Sequence, residues 1–359
     1  MKSKVLSNRA AWVAGLVLMG LAFASFNTLA KKPAPPPPPP PPPSPVTIAY
    51  EQHYGQEGIY TMAADGSSKT LVLKTTGNAS YIHPSISPDG TKMAFSRTSG
   101  AGVDLCVANL NGTGLTVVHT FVSDQDRPTW FVVVWSPDGT KLLFNSLSRD
   151  EDLLYVDLAN PGVVQAVPVN LVPMAGPISI SGDIDPVTSG YQGKLALGGV
   201  TFSGGPEPLA NSIRILDLTF DESGAPQIGP TILPIETADT IYQLSWSPTG
   251  DYLAYNGIGL GTGTRLHLIG MVRDGAEIVP VGDWVVEDGV YNNSRIAWSP
   301  DSQFVAYAKS AGGMPDILRS TLKVDGEGNP YFANPVNLTS SPKSYELNPD
   351  WSPTCVAGQ

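Results

Sequence analysis

The 359-residue sequence predicts an all-β fold, a six-bladed β-propeller of four-stranded antiparallel blades closed by the N- and C-terminal strands. A turn motif, Ser-Pro-Asp-Gly or a close variant, recurs about every 50 residues, the period of a four-stranded blade. Short segments of β-branched and aromatic residues separate the copies, and no long segment has helical periodicity. The motif serines are Ser87, Ser136, Ser181, Ser247, Ser299 and Ser352, of which Ser181 begins a weaker copy.

The amino-acid composition and net charge argue against some classes of function. Hydrophobic residues make up 42% of the chain and charged residues 15%, which suits a buried core rather than a disordered chain or a coiled coil. The formal net charge is -11. An acidic surface repels phosphate groups and anionic lipids, so we expect neither a nucleic-acid partner nor peripheral attachment to a membrane.

Residues 1–30 are predicted to form a signal peptide. Lys2, Lys4 and Arg9 form a basic head, residues 10–26 form an apolar run, and two small-residue cleavage patterns follow. Cleavage after Ala30 is preferred to cleavage at the earlier pattern. The alternative is an uncleaved anchor, the one case in which membrane contact is expected, but a membrane span usually needs about 20 residues. The predicted location is therefore periplasmic or extracellular.

Residues 31–45 are predicted to form a proline-rich linker. Residues 35–43 are an unbroken run of proline, which holds φ near -65° and forms an extended polyproline II rod. At about 3.1 Å per residue, the thirteen residues from Pro33 to Pro45 reach roughly 40 Å. The rod is either a stiff leader ahead of the folded domain or, functionally, a spacer or a ligand for an aromatic groove. The propeller then occupies residues 46–359.

The chemistry of the turn motif explains its place in each blade. Proline presets the first central φ angle, aspartate caps the turn with its side chain, and glycine adopts a conformation that residues with a Cβ resist. Each motif is thus predicted to be the hairpin bend between the first and second strands of a blade. Four first strands end in tryptophan, namely Trp135, Trp246, Trp298 and Trp351.

The outer half of each blade is predicted from the next two apolar segments. Third strands are expected at residues 58–62, 103–107, 153–156, 213–216, 265–268 and 316–319. Fourth strands are expected at residues 71–73, 115–118, 163–167, 231–233, 277–280 and 336–338. The glycine-rich run at residues 257–263 is interpreted as a strand connection rather than a phosphate-binding loop, because no helical pattern follows it.

One blade is predicted to be composite. Residues 46–50 match the second strand of the repeat but have no first strand before them, whereas residues 347–352 match a first strand with no second strand after them. Pairing these two segments completes the sixth blade. An unclosed ring would expose strand edges that could pair with other chains, so closure is also a physical requirement.

The repeat resembles that of the TolB-like six-bladed β-propellers, which reads approximately P-x-W-S-P-D-G-x-x-[IL]-A-[FY]. Residues 135–139 read Trp-Ser-Pro-Asp-Gly, and residues 253–255 read Leu-Ala-Tyr. The resemblance covers about residues 46–355. It implies an exported recognition disc, since TolB itself is a periplasmic component of an envelope-spanning complex. The chain departs from the pattern at Gly182, which replaces proline, and the proline-rich linker stands where TolB has a separate domain.

A candidate binding site is predicted at the mouth of the central channel, where the loops that enter the first strands converge. A polar ring at this mouth would suit a peptide, a glycan or an anion. The alternative is that these side chains bond to loop backbone groups and water. The candidate residues are His83, Asp126, Arg127, Gln243, Arg295 and Asn348.

No metal site or cofactor is expected. The four histidines, His53, His83, His119 and His267, lack metal-ligand spacing, although separate blades could bring them together. Residues 183 and 185 are aspartates spaced like calcium ligands, but the rest of a calcium loop is missing. Residues 176–181 lack the second glycine of a serine hydrolase elbow, which argues against a peptidase.

The two cysteines leave a question open. Cys106 and Cys355 would meet an oxidising compartment after export and could join the closing strand to the second blade. Cys106 lies within a strand and Cys355 follows a bend, so the sequence alone does not show whether their Cα atoms lie within about 7 Å.

The favoured function is a non-enzymatic protein-binding scaffold in the cell envelope, with an envelope or extracellular protein as partner and a glycan or peptide as other possible ligands. The alternative is a carbohydrate-active lyase or hydrolase with its site at the central channel. Three clustered histidines or a close carboxylate pair in the channel would favour the enzyme. An apolar patch with tyrosine and tryptophan would favour the binding module.

Overall fold

The computed structural model describes residues 47–99, 102–121, 133–145, 153–167, 178–181, 192–201, 210–237, 239–259, 261, 263–274, 277–292, 294–310 and 313–352. The signal peptide and the proline-rich linker predicted for residues 1–45 lie outside these ranges. Within them the chain forms 24 β-strands in six four-stranded antiparallel sheets. The same ranges contain no helix of sufficient length and apolar character to cross a membrane.

The predicted six-bladed propeller is confirmed, with blades that contact one another in the order of the chain. Blade 1 contains β1 (Thr47–His53), β2 (Gly58–Ala63), β3 (Thr70–Lys74) and, from the other end of the chain, β24 (Tyr345–Trp351). Blade 2 contains β4 (Ser80–Ile86), β5 (Lys92–Ser99), β6 (Gly102–Asn109) and β7 (Thr116–Phe121). Blade 3 contains β8 (Val133–Trp135), β9 (Lys141–Asn145), β10 (Leu153–Asp157) and β11 (Val164–Ala166).

The second half of the ring follows the same plan. Blade 4 contains β12 (Ile178–Ile180), β13 (Gly193–Thr201), β14 (Ala210–Phe220) and β15 (Pro226–Thr237). Blade 5 contains β16 (Thr240–Trp246), β17 (Tyr252–Gly259), β18 (Gly263–Asp274) and β19 (Glu277–Asp288). Blade 6 contains β20 (Ala297–Trp298), β21 (Phe304–Ser310), β22 (Pro315–Val324) and β23 (Pro330–Asn337).

The turn motif forms the predicted bend. The backbone N–H of Ser87 donates to the carbonyl of Lys92 at 2.9 Å, and the backbone N–H of Gly90, which has a φ of 68°, donates to the carbonyl of Ser87 at 2.8 Å. The weaker copy at Ser181 forms a bend with the same hydrogen bonds at its base. The backbone N–H of Ser181 donates to the carbonyl of Lys194 at 2.9 Å, and the Lys194 N–H donates to Ser181 Oγ at 2.9 Å. This bend spans eight residues more than that of blade 2 (13 against 5 positions), which accounts for part of the long spacing in blade 4.

The repeated tryptophan joins neighbouring blades. Trp135 Nε1 of blade 3 donates to the carbonyl of Ser85 in blade 2 at 2.9 Å, and Trp298 Nε1 of blade 6 donates to the carbonyl of Ser245 in blade 5 at 3.1 Å. The buried cores also lie between blades, as where Phe121 of blade 2 packs edge-on against Phe144 of blade 3. Burial between blades is the hydrophobic contribution that holds the ring together.

The third and fourth strands of blades 4, 5 and 6 are much longer than predicted, and two of the fourth strands show why. The fourth strand of blade 4 was expected at residues 231–233 and extends over Pro226–Thr237, and that of blade 5 was expected at residues 277–280 and extends over Glu277–Asp288. Both pair with partners that contain register shifts, for example between Gly270 and Met271. A bulge lets pairing continue while it interrupts the alternation on which the prediction was based.

The predicted closure of the ring is confirmed. β24 pairs antiparallel with β1, with Ile48 opposite Trp351 and Ala49 opposite Asp350. Thr47 and Ser352 extend the pairing, because the Thr47 N–H donates to Ser352 Oγ and the Ser352 N–H donates to the Thr47 carbonyl, both at 2.8 Å. Blade 1 is thus built from both ends of the described chain.

The closing strand carries a fully buried carboxyl group. Glu346 Oε1 accepts a hydrogen bond from Ser344 Oγ at 2.6 Å, whereas Oε2 has no partner among the described residues. Burial, and secondarily the like charge of Asp316, raise the pKa of Glu346 to about 7 although Ser344 opposes the shift. The protonated form is therefore favoured in the folded protein at mildly acidic pH.

We predict that deletion of residues 346–359 lowers the melting temperature and promotes aggregation, because it removes most of β24 and exposes the edge of β1. Differential scanning calorimetry and light scattering measure the two effects. A truncated protein that melts at the temperature of the full chain and stays monomeric would contradict the closure.

We also predict that Glu346→Gln stabilises the protein more at pH 8 than at pH 5. A raised folded pKa means that the wild type loses stability as the pH rises from about 4.5 to about 7, whereas glutamine stays neutral. The gain in unfolding free energy between the two pH values should be on the order of 2 kcal/mol. Urea unfolding measures it, with Glu327→Gln on an exposed turn as the control. Equal changes in both variants would count against a buried proton on Glu346.

Candidate functional site

A central cavity of about 710 Å³ lies where the inner strands of all six blades meet. It extends to the face of the ring formed by the turn motifs, since Pro88, Pro137 and Pro248 are among its lining residues. Its walls are mostly apolar. They include Ile86, Val134, Ile180, Leu244, Ala297 and Trp351, one from the inner strand of each blade.

Arg295 crosses the opposite end of this channel. It precedes β20 in blade 6, yet its Nη1 donates to the carbonyl of Pro84 in blade 2 at 3.0 Å and its Nη2 donates to the carbonyl of Val133 in blade 3 at 3.2 Å. Blade 3 lies opposite blade 6 in the ring. Among the described residues, the guanidinium group therefore forms the floor of the cavity.

A carboxyl group lies beside this floor. Asp350 of β24 lines the cavity, and its Oδ2 accepts a hydrogen bond from the backbone N–H of Ile86 at 2.6 Å. Burial raises the pKa of Asp350, although the positive charge of Arg295 and the bond from Ile86 oppose the shift. The base of the cavity thus combines a permanent cation with a carboxyl group that binds a proton more readily than usual.

Behind the floor lies a buried carboxylate, Glu51 of β1. Its Oε2 accepts the backbone N–H of His83 at 2.7 Å, and its Oε1 accepts Asn348 Nδ2 at 2.6 Å and lies 3.1 Å from His53 Nε2. Burial alone would raise the pKa of Glu51, but its contacts with His53 and His83 lower it. Asn348 Oδ1 in turn accepts the backbone N–H of Arg295 at 2.9 Å.

The pKa values of the two histidines beside Glu51 shift in opposite directions. Burial lowers the pKa of His83, and the nearby charge of Arg295 adds to that shift, so its ring is neutral at physiological pH. The hydrogen bond to Glu51 raises the pKa of His53, which is partly exposed. His53 is therefore the histidine that more readily takes up a proton beside the Glu51 carboxylate.

The structure brings together three of the predicted site residues, His83, Arg295 and Asn348. His83 and Asn348 have positive φ angles of 55° and 53° and lie at bulges in the inner strands, which re-aim their backbone and side chains. Gln243 lies beside a similar bulge and is buried, but no described bond connects it to the other three. Residues 126 and 127 lie outside the described ranges.

Two residues of the predicted polar ring are buried, since Asn348 is 1% exposed and His83 is 9% exposed. Asn348 fits the alternative stated from the sequence, because its Oδ1 accepts a bond from the backbone N–H of Arg295. His83 bonds to Glu51 through its backbone N–H, and its ring Nδ1 has no partner among the described residues. Arg295 is different, because it also lines the cavity that reaches the opposite face.

Sequence reasoning missed Glu51 and Asp350. A signal for Asp350 was present, since the residue before the repeated tryptophan is Val134, Ser245 or Ala297 in the other blades and an acid only here. Glu51 gave a weaker signal, an acid that ends the apolar run of residues 46–50 in a strand predicted to be buried. Both depend on the composite blade for their partners.

The other two histidines, His119 and His267, contact side chains of their own blades. His267 lies between two carboxylates in blade 5, with Nε2 at 3.1 Å from Asp239 Oδ2 and Nδ1 at 3.1 Å from Asp283 Oδ1. His119 packs edge-on against Phe121. Across the ranges that the structure describes, no three or more histidine, cysteine, aspartate or glutamate side chains are placed to hold a metal ion.

Of the two cysteines considered for a disulfide, only Cys106 lies within the described ranges. The Cys106 thiol is buried and unbonded within them, and burial raises its pKa to about 12. Cys355 lies outside the described ranges, as do the aspartates at residues 183 and 185.

Comparison with solved structures agrees with the fold. TolB from Acinetobacter baumannii matches over 86% of this chain and 67% of its own, with a TM-score of 0.59 and 17% identity. A periplasmic gluconolactonase from Pseudomonas aeruginosa matches over 84% and 99%, with a TM-score of 0.44 and 12% identity. Oligogalacturonate lyase in complex with manganese matches over 82% and 74%, with a TM-score of 0.44 and 17% identity. The chain thus has the TolB-like six-bladed propeller fold, and identities this low concern the fold alone.

Comparison with curated sequences gives a shorter match. A protein described as "Probable dipeptidyl-aminopeptidase B", from Podospora anserina, is 33% identical over 97 residues, which are 25% of this chain and 10% of that protein. The chain therefore spans about a tenth of the length of this curated relative. No protein-family model matches the chain.

We predict that Asn348→Ala destabilises the protein by about 2–4 kcal/mol, because it leaves the buried Glu51 carboxylate without one of its donors. Asn334→Ala is the matched control, since Asn334 has a φ of 52° on an exposed part of β23 and shares the backbone cost. Chemical unfolding of both variants measures the difference. Equal destabilisation would mean that the bond to Glu51 contributes nothing.

Proposed function

We propose that this chain is a non-enzymatic protein-binding module outside the cytoplasm, in the cell envelope or beyond it, and that the channel cavity is its binding site. The observation that carries the proposal is the cavity, about 710 Å³ in volume, with apolar walls and a charged floor. Ligand sites are typically concave and mostly apolar, with a few polar groups that fix orientation.

Two features of the sequence support the proposed location. Residues 1–30 have the basic head, apolar run and small residues of a signal peptide, and residues 31–45 have the proline content that predicts a stiff leader or spacer. The TolB-like fold of the described residues is compatible with this location. A protein partner of the envelope would then reach the propeller in the same compartment.

The alternative, a carbohydrate lyase or hydrolase, calls for clustered histidines or a close carboxylate pair at the channel. Of the described histidines, His83 and His53 lie behind the floor and both contact Glu51, whereas His119 and His267 lie on outer strands of blades 2 and 5. The apolar side chains and tryptophans of the cavity wall meet part of the criterion for the binding module, although no tyrosine is among the described lining residues.

We predict that Val134→Trp, which fills the cavity from β8, abolishes retention of the partner protein by the immobilised chain. Val281→Trp is the matched control, because Val281 lies on β19 and is 58% exposed outside the channel. Quantitative mass spectrometry of proteins captured from an envelope extract gives the readout, with melting temperatures to confirm folding. Proteins held by the wild type and by Val281→Trp should be lost with folded Val134→Trp. An identical captured set for all three proteins would contradict the channel as the binding site.

A further inference from the structure

We propose that Arg295 binds a carboxylate carried on an apolar group, as at the C-terminus of a protein partner that enters the cavity from the face of the turn motifs. The proposal rests on the proposed function and names the chemistry that the same site recognises. Two features of the described residues support it, namely the bonding capacity left on the guanidinium group and the position of that group across the end of the cavity.

The guanidinium group of Arg295 has bonding capacity left. In the bonds recorded for the described residues it donates to two carbonyl oxygens, those of Pro84 and Val133, and to no carboxylate. A guanidinium group carries five N–H donors and keeps its positive charge in proteins. Arg295 is partly exposed and lines the cavity. A planar carboxylate is the partner that best matches the geometry of these donors.

The position of Arg295 favours binding of the end of a peptide over binding of an internal segment. Because its side chain reaches blades 2 and 3 from blade 6, it lies across the path of an extended peptide in the cavity. A ligand that enters from the turn-motif face therefore meets the guanidinium group with its leading end. The walls before that point are apolar, including Ile86, Val134 and Leu244. A carboxylate on an apolar end residue fits both the floor and the walls, and capture of a terminal carboxylate is a known mode of peptide recognition.

Two other charged groups line the cavity. Asp138 is held by its own turn, where it accepts bonds from Ser136 and Thr140. Asp350 lies at the floor, and its negative charge would oppose a carboxylate ligand when it is ionised. Asp350→Asn should therefore tighten binding of a carboxylate, whereas a site for a cation would weaken with the same change.

The test compares two pools of N-acetylated pentapeptides, each randomised over Ala, Leu, Val and Phe at the last three positions. One pool ends in a carboxylate and the other in a carboxamide. The full mature chain is immobilised, and retained peptides are quantified by mass spectrometry at pH 7. We expect the carboxylate pool to be enriched at least ten-fold over the carboxamide pool. Phenylpropionate and its amide form a second pair that tests a small organic acid.

Three variants test whether Arg295 causes the preference for carboxylate peptides. Arg295→Met should reduce the enrichment to less than two-fold, Asp350→Asn should increase it, and Arg273→Met should leave it unchanged because Arg273 bonds to the Thr249 carbonyl at the protein surface. The comparison of acid with amide on the wild type does not depend on whether Arg295→Met folds.

Several results would overturn the inference. Equal retention of the two peptide pools, or retention of neither, would show that the terminal carboxylate is not recognised. Binding of phenylpropionate without the carboxylate peptides would make a small organic acid the ligand in place of a protein terminus. None of these results decides the proposed function, which depends on whether Val134→Trp loses the captured protein.

Discussion

The pairing of β24 with β1 is the interaction on which the rest of the molecule depends. Five blades are formed by consecutive strands, but blade 1 exists only when the two ends of the described chain meet. The contact also assembles the channel floor, because Asn348 of β24 bonds to Glu51 of β1 and to the backbone of Arg295 in blade 6. Closure of the ring and formation of the candidate site are therefore one event.

The closing strand β24 carries buried polar side chains that a need for stability alone does not explain. Glu346, Asn348 and Asp350 occupy alternate positions along it, and two of these side chains are carboxyl groups with raised pKa values. Buried carboxyl groups destabilise a protein unless they are paired or protonated. A protein with well-packed hydrophobic residues at such positions is often as stable or more stable. Perturbed carboxyl groups concentrate at functional sites, which agrees with the position of Asp350 at the floor of the cavity.

Sequence predicted the ring better than the site. The Ser-Pro-Asp-Gly bends and the repeated tryptophans fixed the number of blades because their turn chemistry is local, and the unmatched segments at residues 46–50 and 347–352 predicted the closure. His83, Arg295 and Asn348, which the sequence analysis grouped as candidates, lie close together in the structure. The reach of Arg295 to Pro84 and Val133 was not predictable, since it depends on side-chain direction across a ring of six blades. The lengths of β15 and β19 were missed because bulges interrupt the alternation of apolar residues.

Residue-resolved hydrogen exchange tests the central claim, ring closure by β24, most directly. If β24 completes blade 1, the amides of Tyr345–Trp351 that bond to β1 should be protected with the same free energy of opening as those of Thr47–His53, close to that of global unfolding. Exchange of the β24 amides at the rate of an unstructured peptide, while the other inner strands stay protected, would contradict the closure and with it the channel floor.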